Sequence, residues 1–335
     1  MKQYIAVVLI LASATGPIAM GHHSEASLDL ESVVAFQGVV TEFSWRNPHV
    51  YINVETVDGG GELTEWQFQT NPTMHLTRAG WTRDTFQPGD VVTVRGHPER
   101  NPDRKYAILL SIEKEDGTVL GLVSDRESEP TALASDLNGR WKGTAESLES
   151  FFAALQAAPL TEKGATAVAE YDILTDQSIM SCQPMPTPVA GVVTAFLYVS
   201  EIELGEVTVL LRSEYYDTER RVFMDGRGHP EDGERTDHGY SIGWWEDDVL
   251  VVDTRNFTDH RSPYQNGLPS GSEKHVVERY DLSEDGSSLM LEVFFEDPEY
   301  LADTVTSTLE WKYTPDAEMF RYNCLTEVSS QFAFE

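Results

Sequence analysis

Short apolar–polar alternations run through most of the chain, and the one continuously apolar stretch stands at its start. Val50, Ile52 and Val54 alternate with Tyr51, Asn53 and Glu55, the period of two expected of a half-buried strand. Val33 to Trp45 carries part of the same pattern at Val34, Phe36, Gly38 and Val40. Asp58-Gly59-Gly60-Gly61 reads as a turn, and Leu63 to Thr70 as the returning strand. Asn71-Pro72 then has the form of a helix cap followed by proline at the first helical position, with Gly80 as the stop. Pro88-Gly89-Asp90 turns into Val91 to Gly96, and Tyr106 to Glu113 supplies a fifth strand. Three strands, a helix and two strands is the order of an OB-type barrel, expected over residues 22–118.

Residues 119–135 are rich in Asp, Glu and Ser with little periodicity and read as an acidic linker. Beyond it, residues 136–335 form a second domain. A helix is expected over Leu160 to Tyr171. Strand candidates are Val189–Val199, Glu206–Leu211, Arg221–Met224, Tyr240–Trp245, Val249–Thr254, His275–Tyr280, Leu289–Phe295, Thr304–Tyr313 and Met319–Cys324. Short strands between Asp/Gly turns predict an antiparallel barrel or sandwich with one or two short helices. The fold class is mainly β.

The apolar start changes the setting. Met1-Lys2 gives a short positive end, Ile5 to Ala14 is apolar but too short to span a bilayer, and Gly16-Pro17 breaks it. Ala19-Met20-Gly21 offers small residues for a signal peptidase, with Ala12-Ser13-Ala14 as a competing site. Residues 1–21 therefore read as a signal peptide and the protein as periplasmic or secreted, with no transmembrane segment in the mature chain. Lys and Arg number 24 against 56 Asp and Glu, a net charge of −32. Such a chain repels phosphate backbones and anionic lipid, so nucleic acid is excluded as a partner. The acids are spread along the whole length, as in a solubility adaptation. The only two cysteines, Cys182 and Cys324, most simply form one structural disulfide in an oxidising compartment.

Several runs resemble known groups. His22-His23-Ser24, Phe43-Ser44-Trp45-Arg46-Asn47-Pro48-His49, Gly80-Trp81-Thr82-Arg83-Asp84 and Pro88 to Gly96 resemble a family of secreted bacterial domains of unknown function. In the second domain, Met224-Asp225-Gly226-Arg227-Gly228-His229-Pro230, Ser241-Ile242-Gly243, Leu250-Val251-Val252-Asp253 and His275-Val276-Val277-Glu278-Arg279 resemble another uncharacterised exported group. That group has a His before Ser-Ile-Gly and Arg-Trp after it; here Tyr240 and Trp244-Trp245 stand there. Neither resemblance implies a reaction.

Candidate chemistry rests on histidines. Cleavage after Gly21 would make His22 the amino-terminal residue, whose amine and Nδ1 can chelate one ion; a third nitrogen in a plane suits Cu(II). His49 is the expected third ligand, with His23, His75 and His97 in reserve. The bland reading is a polar leader and a turn-capping His49. Asp225, Arg227 and His229 form a turn in which Arg227 could take a carboxylate and His229 move a proton, or in which Arg227 merely pairs with Asp225. His275, Val277 and Arg279 share one strand face, and Val276, Glu278 and Tyr280 the other. Asp281-x-Ser283-x-Asp285-Gly286 with Glu292 nearly fits a calcium loop, but a hairpin turn explains the same residues. No nucleophile motif is legible, and Pro269-Ser270-Gly271-Ser272 is a loop without a triad. Three function classes follow: an exported metal binder, with copper as the possible cofactor; a carrier of a small apolar or anionic ligand inside the second barrel; and a hydrolase or isomerase using Asp225, Arg227 and His229 or His275. Binding ranks above catalysis.

Overall fold

The computed structural model describes residues 27–57, 59–121, 129–172, 182–261, 263–264 and 266–326. The expected cleavage site, His22 and His23 lie outside these residues.

Strands β1 (Val34–Ser44), β2 (Tyr51–Val57), β3 (Leu63–Gln69), β4 (Val91–Pro98) and β5 (Tyr106–Lys114) close into the expected barrel. Every pairing is antiparallel except β3 with β5, which completes the ring. β1 must bend sharply to pair with both β2 and β4. Gly38 permits this, because a Cβ there would meet the Glu55 carbonyl oxygen at 2.5 Å. Val50, Ile52 and Val54 point inward with Phe68, Val92, Val94, Leu109 and Ile112, as their alternation predicts. Helix α1 (Thr73–Arg78) occupies the predicted place between β3 and β4, with Pro72, which has no capping side chain, at the cap position. The Thr73 amide instead donates to Asn47 Oδ1 at 2.8 Å, a cap supplied from the β1–β2 loop. A short strand β6 (Val119–Gly121) pairs with β5, past the expected domain end at residue 118.

The second domain is a closed nine-strand barrel in the order β7 (Gly139–Gly143), β8 (Ser200–Leu204), β9 (Thr208–Ser213), β10 (Thr218–Phe223), β11 (Tyr240–Glu246), β12 (Val249–Arg255), β13 (His275–Leu282), β14 (Ser288–Glu296) and β15 (Val305–Tyr313). Helix α3 (Glu162–Ala169) lies within the expected helix. A second helix, α2 (Ala145–Ala157), completes the one or two expected, at a place the sequence reading did not give. Thr144 caps it, and Leu148, Phe151 and Leu155 face the core at helical spacing. Two strand expectations fail for identifiable reasons. Residues 189–199 form a buried irregular segment with one 3₁₀ turn, since Pro186 and Pro188 lack amides and Gly191 takes φ +76°. An apolar run of this length can fill a core without pairing. Residues 319–324 form an extended tail with a single bridge, Asn47 to Cys324.

The second interior is filled. Trp141, Tyr280, Phe295 and Trp311 pack with aliphatic side chains. Among them Arg220 Nη2 donates to Glu278 Oε2 at 2.6 Å, with both side chains at least nine-tenths buried. The cavity beside Arg220, Tyr280 and Trp311 measures about 10 Å³, room for one water and no organic ligand. The interior thus departs from the ligand-holding cavity expected of a carrier.

Cys182 and Cys324 are joined, as expected, and the disulfide holds the tail where the barrels meet. Arg78 of α1 donates to Glu214 at 2.5 Å; Glu214 also accepts from the amides of Val199 and Phe320 at 2.8 Å each. Met74 of α1 packs with Tyr198, Tyr215 and Tyr322. The Asn47 side chain donates to the Tyr322 carbonyl.

Candidate functional site

The site grows from one irregularity of the second barrel. β10 and β11 pair in parallel over only two positions, Val222 with Ser241 and Phe223 with Ile242. β11 therefore starts beside the end of β10, and residues 224–239 leave and re-enter at one rim. Alternation does the rest. On β12, Val252 and Thr254 are buried inside while Asp253 and Arg255 face out; on β13, Val276, Glu278 and Tyr280 face in and His275 faces out. Tyr240 lies directly opposite Arg255. The returning loop lays His229 against this outer face.

The side chains close a ring. Asp253 binds His229 Nε2 through Oδ1 at 2.7 Å and His275 Nε2 through Oδ2 at 2.9 Å. Arg255 Nη2 lies 3.1 Å from His275 Nδ1. The Tyr240 ring stands edge-on to His229, with centroids 6.1 Å apart, and stacks on Phe223 at 5.0 Å. Arg227 lies over Phe223, donates to Tyr240 Oη at 3.3 Å and is held through Nε by Asp225 Oδ1 at 2.7 Å. All four residues singled out in this domain (Asp225, Arg227, His229 and His275) thus meet on one patch. The patch is on the outer wall near the rim. The Arg227–Asp225 pair of the alternative reading is also present.

Hydrogen-bonding roles in the ring are constrained. A guanidinium only donates, so His275 Nδ1 is the acceptor from Arg255, and Nε2 carries the proton given to Asp253. His229 has no such lock: its Nδ1 is buried without a hydrogen-bond partner. Burial tends to raise the Asp253 pKa, but the hydrogen bonds and charges of His275 and His229 outweigh it and hold the carboxyl below its ordinary value. The ring is not arranged as a chelate. The two Nε2 atoms sit on separate carboxylate oxygens, and a metal on His275 Nε2 would turn Nδ1–H against the Arg255 donor. Among the described residues, no group of three or more His, Cys, Asp or Glu side chains could hold a metal ion.

Residues 9–107 match a family of unknown function, DUF6152. The span ends inside β5 and includes His49, while every ring residue lies beyond it. No curated protein matches the chain. No helix among the described residues is long and apolar enough to cross a membrane.

Within the matched span, His49 follows the Asn47-Pro48 turn, and its Nδ1 lies 3.1 Å from the Thr70 carbonyl oxygen. Only a protonated Nδ1 can bond a carbonyl, so the lone pair resides on Nε2. The His49 ring neighbours Tyr51 at 6.5 Å, and Leu28, near the start of the described chain, packs on Tyr51. His75 instead packs against Tyr198 at 5.0 Å in the joint between the barrels, and His97 Nδ1 bonds the Ser32 carbonyl at 2.8 Å. The near-calcium loop is the β13–β14 hairpin. Asp285 Oδ1 accepts from Ser283, from the Ser287 amide and from the Ser287 hydroxyl, which lower its pKa to about 2.

Asp253 and Tyr240 entered the sequence reading only within a resemblance, with no site role, and Arg255 not at all. A signal existed for Asp253, a carboxylate ending the apolar run Leu250-Val251-Val252. Tyr240 and Arg255 are common strand-end residues, and only the β11–β12 register reveals them.

Proposed function

We propose that the protein is an exported binding protein that takes a small anionic molecule at the ring on its second barrel. One observation carries the reading: Arg227 donates to the Tyr240 hydroxyl and Arg255 stands opposite Tyr240 on β12, beside a carboxylate that holds two imidazoles. Arg227 and Arg255 are the donors suited to an acidic ligand, and the Tyr240 hydroxyl, which accepts from Arg227, keeps its own proton to give. Phe223 and Tyr240 offer an apolar bed beside those donors. Calorimetric titration with a panel of small organic acids tests this. Binding should appear in the wild type and weaken at least tenfold in Arg227→Ala; equal binding by the variant would refute the site. Export is supported by the leader-like residues 1–21 and by the disulfide; amino-terminal sequencing of periplasmic material should find His22 first.

A second reading, copper held by the His22 amine and imidazole with His49, is favoured by the His49 tautomer. A backbone carbonyl on Nδ1 fixes the other nitrogen as the ligand atom, a common arrangement around bound metals. Leu28 packing on Tyr51 supports it too, since the chain arrives on the His49 side of β2. An extra Ala before His22, or His49→Ala, should abolish a one-to-one Cu(II) signal in electron paramagnetic resonance. An unchanged signal would leave the histidines a polar leader.

A further inference from the structure

We infer that the cavity between helix α3 and the His260–Ser270 bridge is a second binding site, which takes a small linear polyamine. It shares no residue with the ring and does not rest on the anion-binding reading. Its volume of about 730 Å³ is that of a site for an organic molecule. Helix α3 makes one wall. Thr161 caps its start, and Gly164 lets it lie against Tyr300, whose carbonyl a Cβ there would strike. Glu162, Thr166 and Glu170 follow one another at helical spacing along the cavity. The other wall is the bridge of His260 with Ser270, each amide bonded to the other's carbonyl at 2.8 and 2.9 Å, flanked by Asp259 and Arg261.

The charges of this lining are unequally committed. Lys163 is bonded to Glu299 and lies over the Tyr300 ring at 4.5 Å. Arg261 donates to the carbonyls of Gly267 at 2.9 Å and Ala167 at 3.2 Å, and lies over Tyr171. Both cations thus hold the protein's own walls together. The side chains of Glu162, Glu170 and Asp259, by contrast, have no hydrogen bond or ion pair among the described residues. His260 and Tyr300 complete the titratable lining. With Glu299 included, four carboxylates stand against two cations. Behind the wall the buried Asp297 and Lys274 add one acid and one base, which leaves that balance as it is.

Two further features favour a cation. Glu170 ends α3, where the helix dipole disfavours a carboxylate, and no basic residue stands in the last turn. The hydroxyl of Ser270, a residue 1% exposed on the cavity wall, has no hydrogen-bond partner. Spacing then selects the kind of cation. Eight residues of helix separate Glu162 from Glu170, a rise of about 12 Å. No single ion bridges that distance, whereas methylenes with an amine at each end do. Ala167 and Pro269 give the lining apolar surface that suits the methylenes.

Spermidine titrated calorimetrically into the intact protein at about 0.15 M salt, where loose surface attraction is screened, tests the site. One molecule should bind per chain, with butylamine, which has a single amine, about tenfold weaker or more. Glu170→Gln and Asp259→Asn should each weaken spermidine by about fivefold, the scale of one exposed ion pair. Glu206→Gln, which neutralises an exposed acid on the β8–β9 turn, should leave the affinity unchanged. If Glu170→Gln fails to fold, Asp259→Asn decides alone. Several weak equivalents, reduced alike in all three variants, would mean diffuse counterion binding and overturn the site. Butylamine binding as tightly as spermidine would overturn the polyamine class. No binding of spermidine would overturn both.

Discussion

In the first barrel Val40, Ile52, Val54, Phe68, Val94 and Ile112 meet in an apolar core, and the buried acid Glu99 pairs with Arg104 just past the end of β4, whereas the second encloses Arg220 bonded to Glu278. The difference follows from width. Five strands leave a bore that aliphatic residues and a few rings fill. Nine strands leave more, occupied here by Trp141, Tyr280, Trp311 and an ion pair. Yet neither interior is the candidate site, which lies on an outer wall where ring members are only partly buried. A closed barrel here serves as a rigid frame whose register aligns Tyr240, Arg255 and His275.

The sharpest way to break the comparison is Glu278→Ala. It leaves the Arg220 charge buried alone and should cost about 3–5 kcal/mol in denaturant unfolding. Arg220→Met with Glu278→Leu should recover most of that loss, because an apolar pair of similar size often replaces a buried ion pair without penalty. If the double variant stays as unstable as the single one, the pair does more than fill space. Removing the disulfide by Cys182→Ser with Cys324→Ser should cost about 2–4 kcal/mol, since the bond closes a loop of 142 residues. Protease cleavage should then begin in the freed tail. In the first barrel, Ile52→Val should cost about 1 kcal/mol, the ordinary loss of one core methylene. A much smaller cost would show that its packing is looser than the buried side chains indicate.

The alternation of Val50, Ile52 and Val54 made the first barrel legible, and the Asp/Gly turns did the same for most of the second. Where the pattern misled, a tertiary reason won. Val189 to Val199 is apolar because it is buried, while its neighbouring prolines and Gly191 deny it a ladder. Helix α2 was missed although Leu148, Phe151 and Leu155 carry its period. The candidate site was half legible: Asp225, Arg227, His229 and His275 stood out by residue type. Asp253 ended a recognisable apolar run, but that it joins two of them follows only from strand parity and register.

The smallest expected effect is on acid stability. The Asp253 pKa is lowered in the fold, so its contribution is present above the unfolded carboxylate range and is lost as pH falls through the folded value. Asp253→Asn should therefore flatten the acid limb of stability against pH. A limb of unchanged steepness would show that the imidazoles do not hold this carboxylate.

The ring itself is tested most directly by long-range nitrogen NMR of the histidine side chains. Both rings should carry a proton on Nε2, bonded to Asp253, and His275 Nδ1 should accept from Arg255. If His275 carries its proton on Nδ1 instead, or if no member of the organic-acid panel moves either ring, the proposed site is wrong.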